Sequence, residues 1–221
     1  MKLPFTHQQF LDVFGAYNAS LWPFAAALWL ATVAALLLLA SGRLGSRGAG
    51  TLLAAHWLWA GVAYHVAYFA AVNPAARAFG ALFVVQGLLF LWLGVGRGSL
   101  AVAWGRRPHQ VLSAAFGAYA VLYPLLALAT GLRWPRTPSF GVPCPTTLLT
   151  VGLLLALPPR RLRGLAVIPL VWCLVGGSAA LVLGVLPDAM LLVGAVLLAW
   201  YTVAPGSLAG PAGAAPGGSA A

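Results

Sequence analysis

The sequence predicts an all-α fold, a polytopic transmembrane bundle of about seven helices with a short N-terminal interfacial helix. Hydrophobic residues make up 62% of the 221-residue chain and charged residues 6%, whereas a soluble domain carries about 25% charged residues. The two acidic residues, Asp12 and Asp188, lie outside the long apolar runs, and nearly every arginine lies between runs. Because hydrocarbon excludes charge, this distribution is typical of a multipass membrane protein.

The N-terminal residues have the pattern of an amphipathic helix. Thr6 and Gln9 have the spacing of a capping box, and Phe5 and Phe10 lie where a hydrophobic staple would sit. Apolar residues then recur at helical spacing. We therefore expect residues 6–18 to form a helix in the membrane interface, with Asp12 as a solvated charge on its polar side.

Seven apolar segments follow within one predicted domain, residues 1–204. A spanning helix needs about 20 residues, and most of the segments qualify. The fifth is confined between Pro145 and Pro158 and would measure only roughly 18 Å. The Gly, Ala, Pro and Ser composition of residues 205–221 predicts a disordered tail. The segments are 21–41, 51–71, 77–97, 110–131, 146–157, 164–185 and 188–204.

The arginines predict the orientation of the chain in the membrane. Eight lie within or at the edge of the gaps 42–50, 98–109 and 158–163, which share one side if all seven segments span. The opposite side has Lys2, Arg77, Arg133 and Arg136. The positive-inside rule then places the N-terminus outside and the C-terminus inside the cytoplasmic membrane.

Several functional classes have no support in the sequence. The net charge of +10 comes from scattered arginines, so we expect no nucleic-acid partner. His56 and His65 are nine residues apart and should face opposite sides of one helix. No metal, cofactor or catalytic motif is present, and we expect no metal site and no cofactor. The lack of carboxylates in the predicted bundle argues against an ion pump.

Four polar residues on four predicted helices lie at similar depth in the outer half of the bundle. We therefore predict that they line a polar cavity, since burying each without a partner would cost about 1–3 kcal/mol. The alternative is a set of unrelated hydrogen bonds between helices. The four residues are His65, Gln86, Tyr123 and Ser178.

The proline-rich stretch before the fifth segment predicts a second candidate site. Cys144, Thr146 and Thr147 lie at a helix start, where free N–H groups can bind an anion. The alternative is a capped helix under an ordered loop. Cys144 could act as a nucleophile if a base such as His65 were close, although no spacing shows that they meet.

Four further polar residues belong to the predicted outer face of the bundle. Asp188 follows Pro187 and is expected to cap the last helix at its N-terminus. The four are Asp12, Asn18, Asn73 and Asp188.

Several stretches read together resemble an uncharacterised bacterial membrane family, the domain-of-unknown-function family numbered 6064. The resemblance implies a multipass membrane protein and supplies no activity, substrate or catalytic residues. The resembling stretches are Pro4–Thr6, Gln9–Phe14, Tyr17-Asn18, Trp22-Pro23, Tyr64-His65, Asn73-Pro74, Phe79–Phe83, Gln86-Gly87, Tyr123-Pro124, Phe140–Thr147 and Gly176–Ala180.

Three functional hypotheses follow from these residues. The first is a protein that binds or passes a small polar or anionic solute through an outward-facing polar cavity. The second is an accessory or sensor protein without transport. The third is an intramembrane enzyme that uses Cys144. The lipid bilayer is the expected partner in each case, and the oligomeric state is left open.

Overall fold

A computed structural model describes residues 4–105, 107–158 and 164–203 as helices joined by loops, without a β-strand in these ranges. The all-α prediction is confirmed. Short π-helical turns, Ala60–Val66 and Leu91–Gly96, extend the second and third α-helices, and 3-10 turns occur at Phe69–Ala71 and Leu186–Ala189. The α-helices are α1 His7–Ala40, α2 Ser46–Trp59, α3 Ala76–Phe90, α4 Pro108–Ala129, α5 Pro143–Leu155, α6 Val167–Leu183 and α7 Met190–Val203.

Four helical stretches are long and apolar enough to cross a membrane. They are His7–Ala40, Ala76–Gly96, Pro108–Ala129 and Leu186–Val203, while α5 and α6 are shorter apolar helices. Many large apolar side chains on the outside of the bundle are exposed, as expected where lipid rather than water surrounds the protein. By composition and helix length, the chain is a membrane protein.

Helix α1 begins with the predicted capping box. The Thr6 hydroxyl accepts a hydrogen bond from the Gln9 N–H at 3.2 Å, and the Gln9 side chain accepts one from the Thr6 N–H at 2.8 Å. The helix then continues unbroken to Ala40. Residues 6–18 are therefore the start of a long helix, and their apolar side packs on protein through Phe10, Val13 and Phe14.

Helices α2 and α3 pack in close contact at two glycine pairs. A Cβ atom on Gly50 would lie 2.6 Å from the Cα of Gly94, and one on Gly61 would lie 2.9 Å from the carbonyl oxygen of Gly80. Backbone atoms can approach this closely only where no side chain intervenes. The pairs fix the position of the π-helical turn Ala60–Val66 against α3.

Helix α5 lies at the centre of the bundle. It is about 20 Å long at 1.5 Å per residue, and every residue except Cys144 is buried. A helix that is apolar on all sides is stable only when other helices surround it. On one side Thr150 accepts a hydrogen bond from the Trp57 indole of α2 at 2.7 Å. The short fifth segment is thus a core helix enclosed by protein.

The start of α5 lies below the C-terminal end of its neighbour α4. Tyr123 of α4 and Cys144 of α5 both interact with Asp188, so they share one level. Helix α4 continues six residues beyond Tyr123 to Ala129, which adds about 9 Å. The bundle therefore has a recess above the start of α5.

Candidate functional site

This recess is a cavity of about 520 Å³. Its walls come from α1, the π-helical turn after α2, α3, α4, the start of α5, and α6. Most of its lining is aromatic or aliphatic, so it is suited to the apolar body of a ligand. The aromatic side chains in the lining, apart from Tyr123, are Phe5, Phe10, Phe14, Tyr64, Phe69, Phe79 and Trp172.

His65 lies on the wall of this cavity, in the π-helical turn Ala60–Val66. The wider turn carries the side chain toward α3 and α6, where its ring meets Phe83 at 4.8 Å and Trp172 at 5.0 Å between centroids. The side chain is fully buried, and neither ring nitrogen has a hydrogen-bond partner among the described residues. A buried imidazole without partners is a group that a ligand could satisfy.

Asp188 forms the polar floor of the cavity together with Tyr123 and Cys144. The Tyr123 hydroxyl donates a hydrogen bond to the Asp188 carboxylate, and the Cys144 thiol also interacts with it. Asp188 is only 4% exposed. It lies beside the N-terminus of α5, whose positive potential favours a negative group. The position after Pro187 predicted a helix cap, whereas the carboxylate faces a tyrosine 65 positions away in the chain.

The helix start itself is poorly equipped to bind an external anion. Pro143 and Pro145 occupy two of its first three positions, and proline has no N–H to donate. The N–H of Thr146 is already used by the carbonyl of Val142 at 3.3 Å. An anion would therefore meet few donors here and would lie close to the Asp188 carboxylate.

The mouth of the cavity runs along one side of α6. Val175, Ser178 and Val182 all line it and are exposed, and they follow each other at helical spacing. Phe79 of α3 also lines the cavity, and its ring packs on that of Trp172 of α6 at 5.4 Å between centroids. Above the cavity, Phe5 and Phe10 pack on Phe69 at ring distances of 5.5 and 6.0 Å. The cavity thus reaches the surface of the bundle along this side of α6, next to an aromatic cluster.

The structure brings His65, Tyr123, Ser178 and Cys144 to one cavity, but it places Gln86 elsewhere. The Gln86 amide donates to the carbonyl of Leu165, before the start of α6, at 3.1 Å. Phe79 is the α3 residue at the cavity, and Gln86 lies two turns further, about 10 Å along the helix.

The two threonines at the start of α5 are also outside the cavity lining. The Thr147 hydroxyl donates to the carbonyl of Pro143 at 2.9 Å, and the buried Thr146 hydroxyl has no partner among the described residues. Cys144 is therefore the residue of the predicted anion site that faces the cavity. No hydrogen bond joins Cys144 to His65 in the described part of the chain.

The remaining outer-face residues have separate roles. Asp12 forms an exposed ion pair with Arg136 at 2.8 Å. Asn18 is fully buried and donates to the carbonyls of Pro135 and Thr137 at 2.5 and 2.7 Å, which holds the loop between α4 and α5 against α1. Asn73 lies at the edge of the cavity and accepts from the N–H of Ala75 at 3.2 Å.

Sequence reasoning missed Trp172 and the aromatic walls. The Trp172 side chain lines the cavity, and its buried indole nitrogen lies next to the Cys144 thiol. Tryptophan in a membrane helix is usually assigned to the interface. A signal was available in the sequence of α6, because Gly176 follows Trp172 by one helical turn, and a Cβ atom on Gly176 would lie 3.2 Å from the indole nitrogen.

Comparison with known proteins identifies the family but adds no activity. No curated protein and no solved structure matches this chain. A family model described as a family of unknown function, DUF6064, matches residues 7–208 and so covers all seven α-helices of the described residues. The chain therefore belongs to the DUF6064 family.

Proposed function

We propose that the protein binds a small, membrane-soluble molecule in the cavity above α5. The carrying observation is the cavity itself, about 520 Å³ in volume and lined mainly by aromatic and aliphatic side chains. Its polar groups are concentrated at the floor and on one wall. Pockets of this kind accept an apolar body and use a few polar groups to orient it.

The direction of the mouth supports entry from the bilayer. Val182 on α6 is 69% exposed and lines the cavity, as does the partly exposed Val175. On a spanning helix such side chains face lipid rather than water. A ligand dissolved in the outer leaflet would reach the cavity without crossing the aromatic cluster of Phe5, Phe10 and Phe69.

The packing below the cavity supports binding rather than passage. Leu148, Leu149 and Val151 follow Cys144 along α5 and are fully buried, and closely packed protein interiors have few voids large enough for water. A receptor or sensor for a membrane-soluble ligand fits this arrangement. The unpartnered nitrogens of His65 disfavour an enzyme in which Cys144 is activated by that histidine.

The proposal includes seven membrane spans in a bacterial inner membrane, with the N-terminus outside. The contacts support alternation of the helices. The hydroxyl of Ser46, the first residue of α2, donates to the carbonyl of Gly94 at 3.3 Å and accepts from the N–H of Leu100 at 2.6 Å, at the end where the arginine-rich gaps lie. The start of α1 packs on Phe69 at the opposite end. The cavity then opens toward the outer leaflet.

The proposed function is tested with octanol, a neutral apolar probe, added to purified protein in maltoside micelles. We expect saturable binding to the wild type by titration calorimetry. Ala179→Trp places an indole in the cavity and should abolish it, because Ala179 lines the cavity. Leu181→Trp is the matched control, since Leu181 lies on the same helix, is 69% exposed and does not line the cavity. Equal binding by both variants would contradict the proposal.

A further inference from the structure

We infer that the ligand of this cavity carries a cationic ammonium group that pairs with Asp188, an inference that rests on the proposed function. The chain has only two acidic residues. Asp12 is half-exposed and already paired with Arg136, whereas Asp188 is buried at the floor of the cavity. The two carboxylates therefore have opposite environments.

Asp188 is held in place by neutral donors. Tyr123 donates a hydrogen bond to its carboxylate, and the Cys144 thiol interacts with the same group. Among the described residues that line the cavity, none is an arginine or a lysine. Buried carboxylates in proteins are usually paired with a cation, and here the described lining supplies none.

The walls next to this carboxylate suit a cation with an apolar body. Tyr64 and Trp172 line the same cavity as Asp188, and aromatic faces attract ammonium groups through their negative π-electron density. The ring of Trp172 also packs at 5.0 Å from His65, whose two nitrogens have no partner among the described residues. A ligand polar group could satisfy this imidazole.

The charge of the site also restricts where the ammonium group comes from. A phosphodiester attached to the ammonium group would lie close to the Asp188 carboxylate, and the described lining has no basic side chain to neutralise it. Like charges at close range repel each other. We therefore assign the site to an amphiphilic amine without a phosphate group. An aminophospholipid headgroup, which carries both groups, is the competing source.

The test compares octylammonium with octanol, two probes of similar shape that differ in charge. In wild-type protein in maltoside micelles, we expect octylammonium to bind at least about tenfold more tightly, the ratio that corresponds to 1.4 kcal/mol. Asp188→Asn should remove the preference, so that the ratio of the two affinities falls to about one. Asp12→Asn, at the other carboxylate, should leave both affinities unchanged.

The outcomes separate this inference from the proposed function. If the wild type binds both probes with equal affinity and octanol binding is still saturable, the inference of a cationic ligand is wrong, while the proposed binding function still holds. A preference for octylammonium that persists in Asp188→Asn would also overturn the inference. If neither probe binds saturably, both proposals fail. If the Asp188→Asn variant does not fold, the comparison of octylammonium and octanol affinities in the wild type alone tests the inference.

A further arm identifies the source of the ammonium group. Phosphatidylethanolamine is added to the micelles at increasing fractions, with phosphatidylglycerol as the lipid that lacks an amine. We expect neither lipid to displace octylammonium, which would support a free amphiphilic amine. Displacement by phosphatidylethanolamine alone would overturn that assignment in favour of the lipid headgroup.

Discussion

At the scale of single residues, the contact between Tyr123 and Asp188 joins α4 to the turn before α7. Both side chains are buried, and the tyrosine hydroxyl donates to the carboxylate. A hydrogen bond to a charged group contributes more than one between neutral groups. This contact therefore fixes the floor of the cavity and also stabilises the fold.

The Tyr123→Phe substitution tests this role. It removes the hydroxyl with little change in shape, and we expect a loss of about 1.5–3 kcal/mol in the free energy of unfolding. The matched control is Tyr119→Phe, one turn earlier, whose half-buried hydroxyl donates to the neutral carbonyl of Pro187 at 2.9 Å. Its loss should be about 0.5–1.5 kcal/mol. Unfolding in mixed micelles measures both, and equal losses would contradict a special role for Asp188.

Individual site residues were partly predictable from the sequence. His65, Tyr123 and Ser178 could be assigned to one layer because the rise per residue gives the depth of a side chain in the membrane, once the residue at which its helix enters the membrane has been assigned. The same reasoning misplaced Gln86, because α6 begins near its level and covers it. The contact of Asp188 with Tyr123 could not be predicted, since 65 positions separate them and no local pattern reports such a pair.

At the scale of helices, the contact between α2 and α3 depends on glycine. At Gly50 a Cβ atom would lie within 3 Å of backbone atoms of Gly94, which cannot rotate away. At Gly48, on the same helix, it would meet only the end of the Leu44 side chain, at 3.0 Å. The two glycines therefore differ in what a methyl group would displace.

Substituting each glycine with alanine should have opposite effects. Gly50→Ala should separate the helices and cost about 1–3 kcal/mol through overpacking. Gly48→Ala should be neutral or stabilising, because alanine is favoured over glycine in a helix by up to about 1 kcal/mol. The apparent melting temperature in detergent reports the difference. A Gly50→Ala protein as stable as the wild type would show that the helices are less closely packed than described.

The boundaries of the elements were predictable where local signals exist. The capping box at Thr6 and the proline-flanked start of α5 mark helix starts in the sequence, and both are present in the structure. The continuity of α1 through residues 18–21 was not predictable. A change from an amphipathic to a uniformly apolar pattern looks like the end of one helix, although no residue there ends it.

At the scale of the whole molecule, two loops mark the two ends of the bundle. Arg43 lies in the α1–α2 loop and Trp134 in the α4–α5 loop, at opposite ends of the helices, and both are exposed. The seven apolar segments could be read from the sequence because hydrocarbon excludes charge. The central position of α5 could not, because a buried helix and a lipid-facing helix have the same composition.

Cysteine labelling tests the orientation. In a background of Cys144→Ser and Cys173→Ala, we expect Trp134→Cys to react with an impermeant maleimide in intact bacteria. Arg43→Cys should react only after the membrane is permeabilised. Labelling of Arg43→Cys in intact cells, or of both positions from one side, would contradict the proposed topology and the outward direction of the cavity.

The most direct test of the binding cavity is photolabelling of the reconstituted protein with a diazirine-bearing alkyl probe, followed by peptide mapping. If the account is correct, labelling saturates with probe concentration and is concentrated around Trp172, Ala179 and Cys144, which line the cavity. Labelling that rises without saturation and is spread over lipid-facing residues such as Leu181 and Val196 would contradict it.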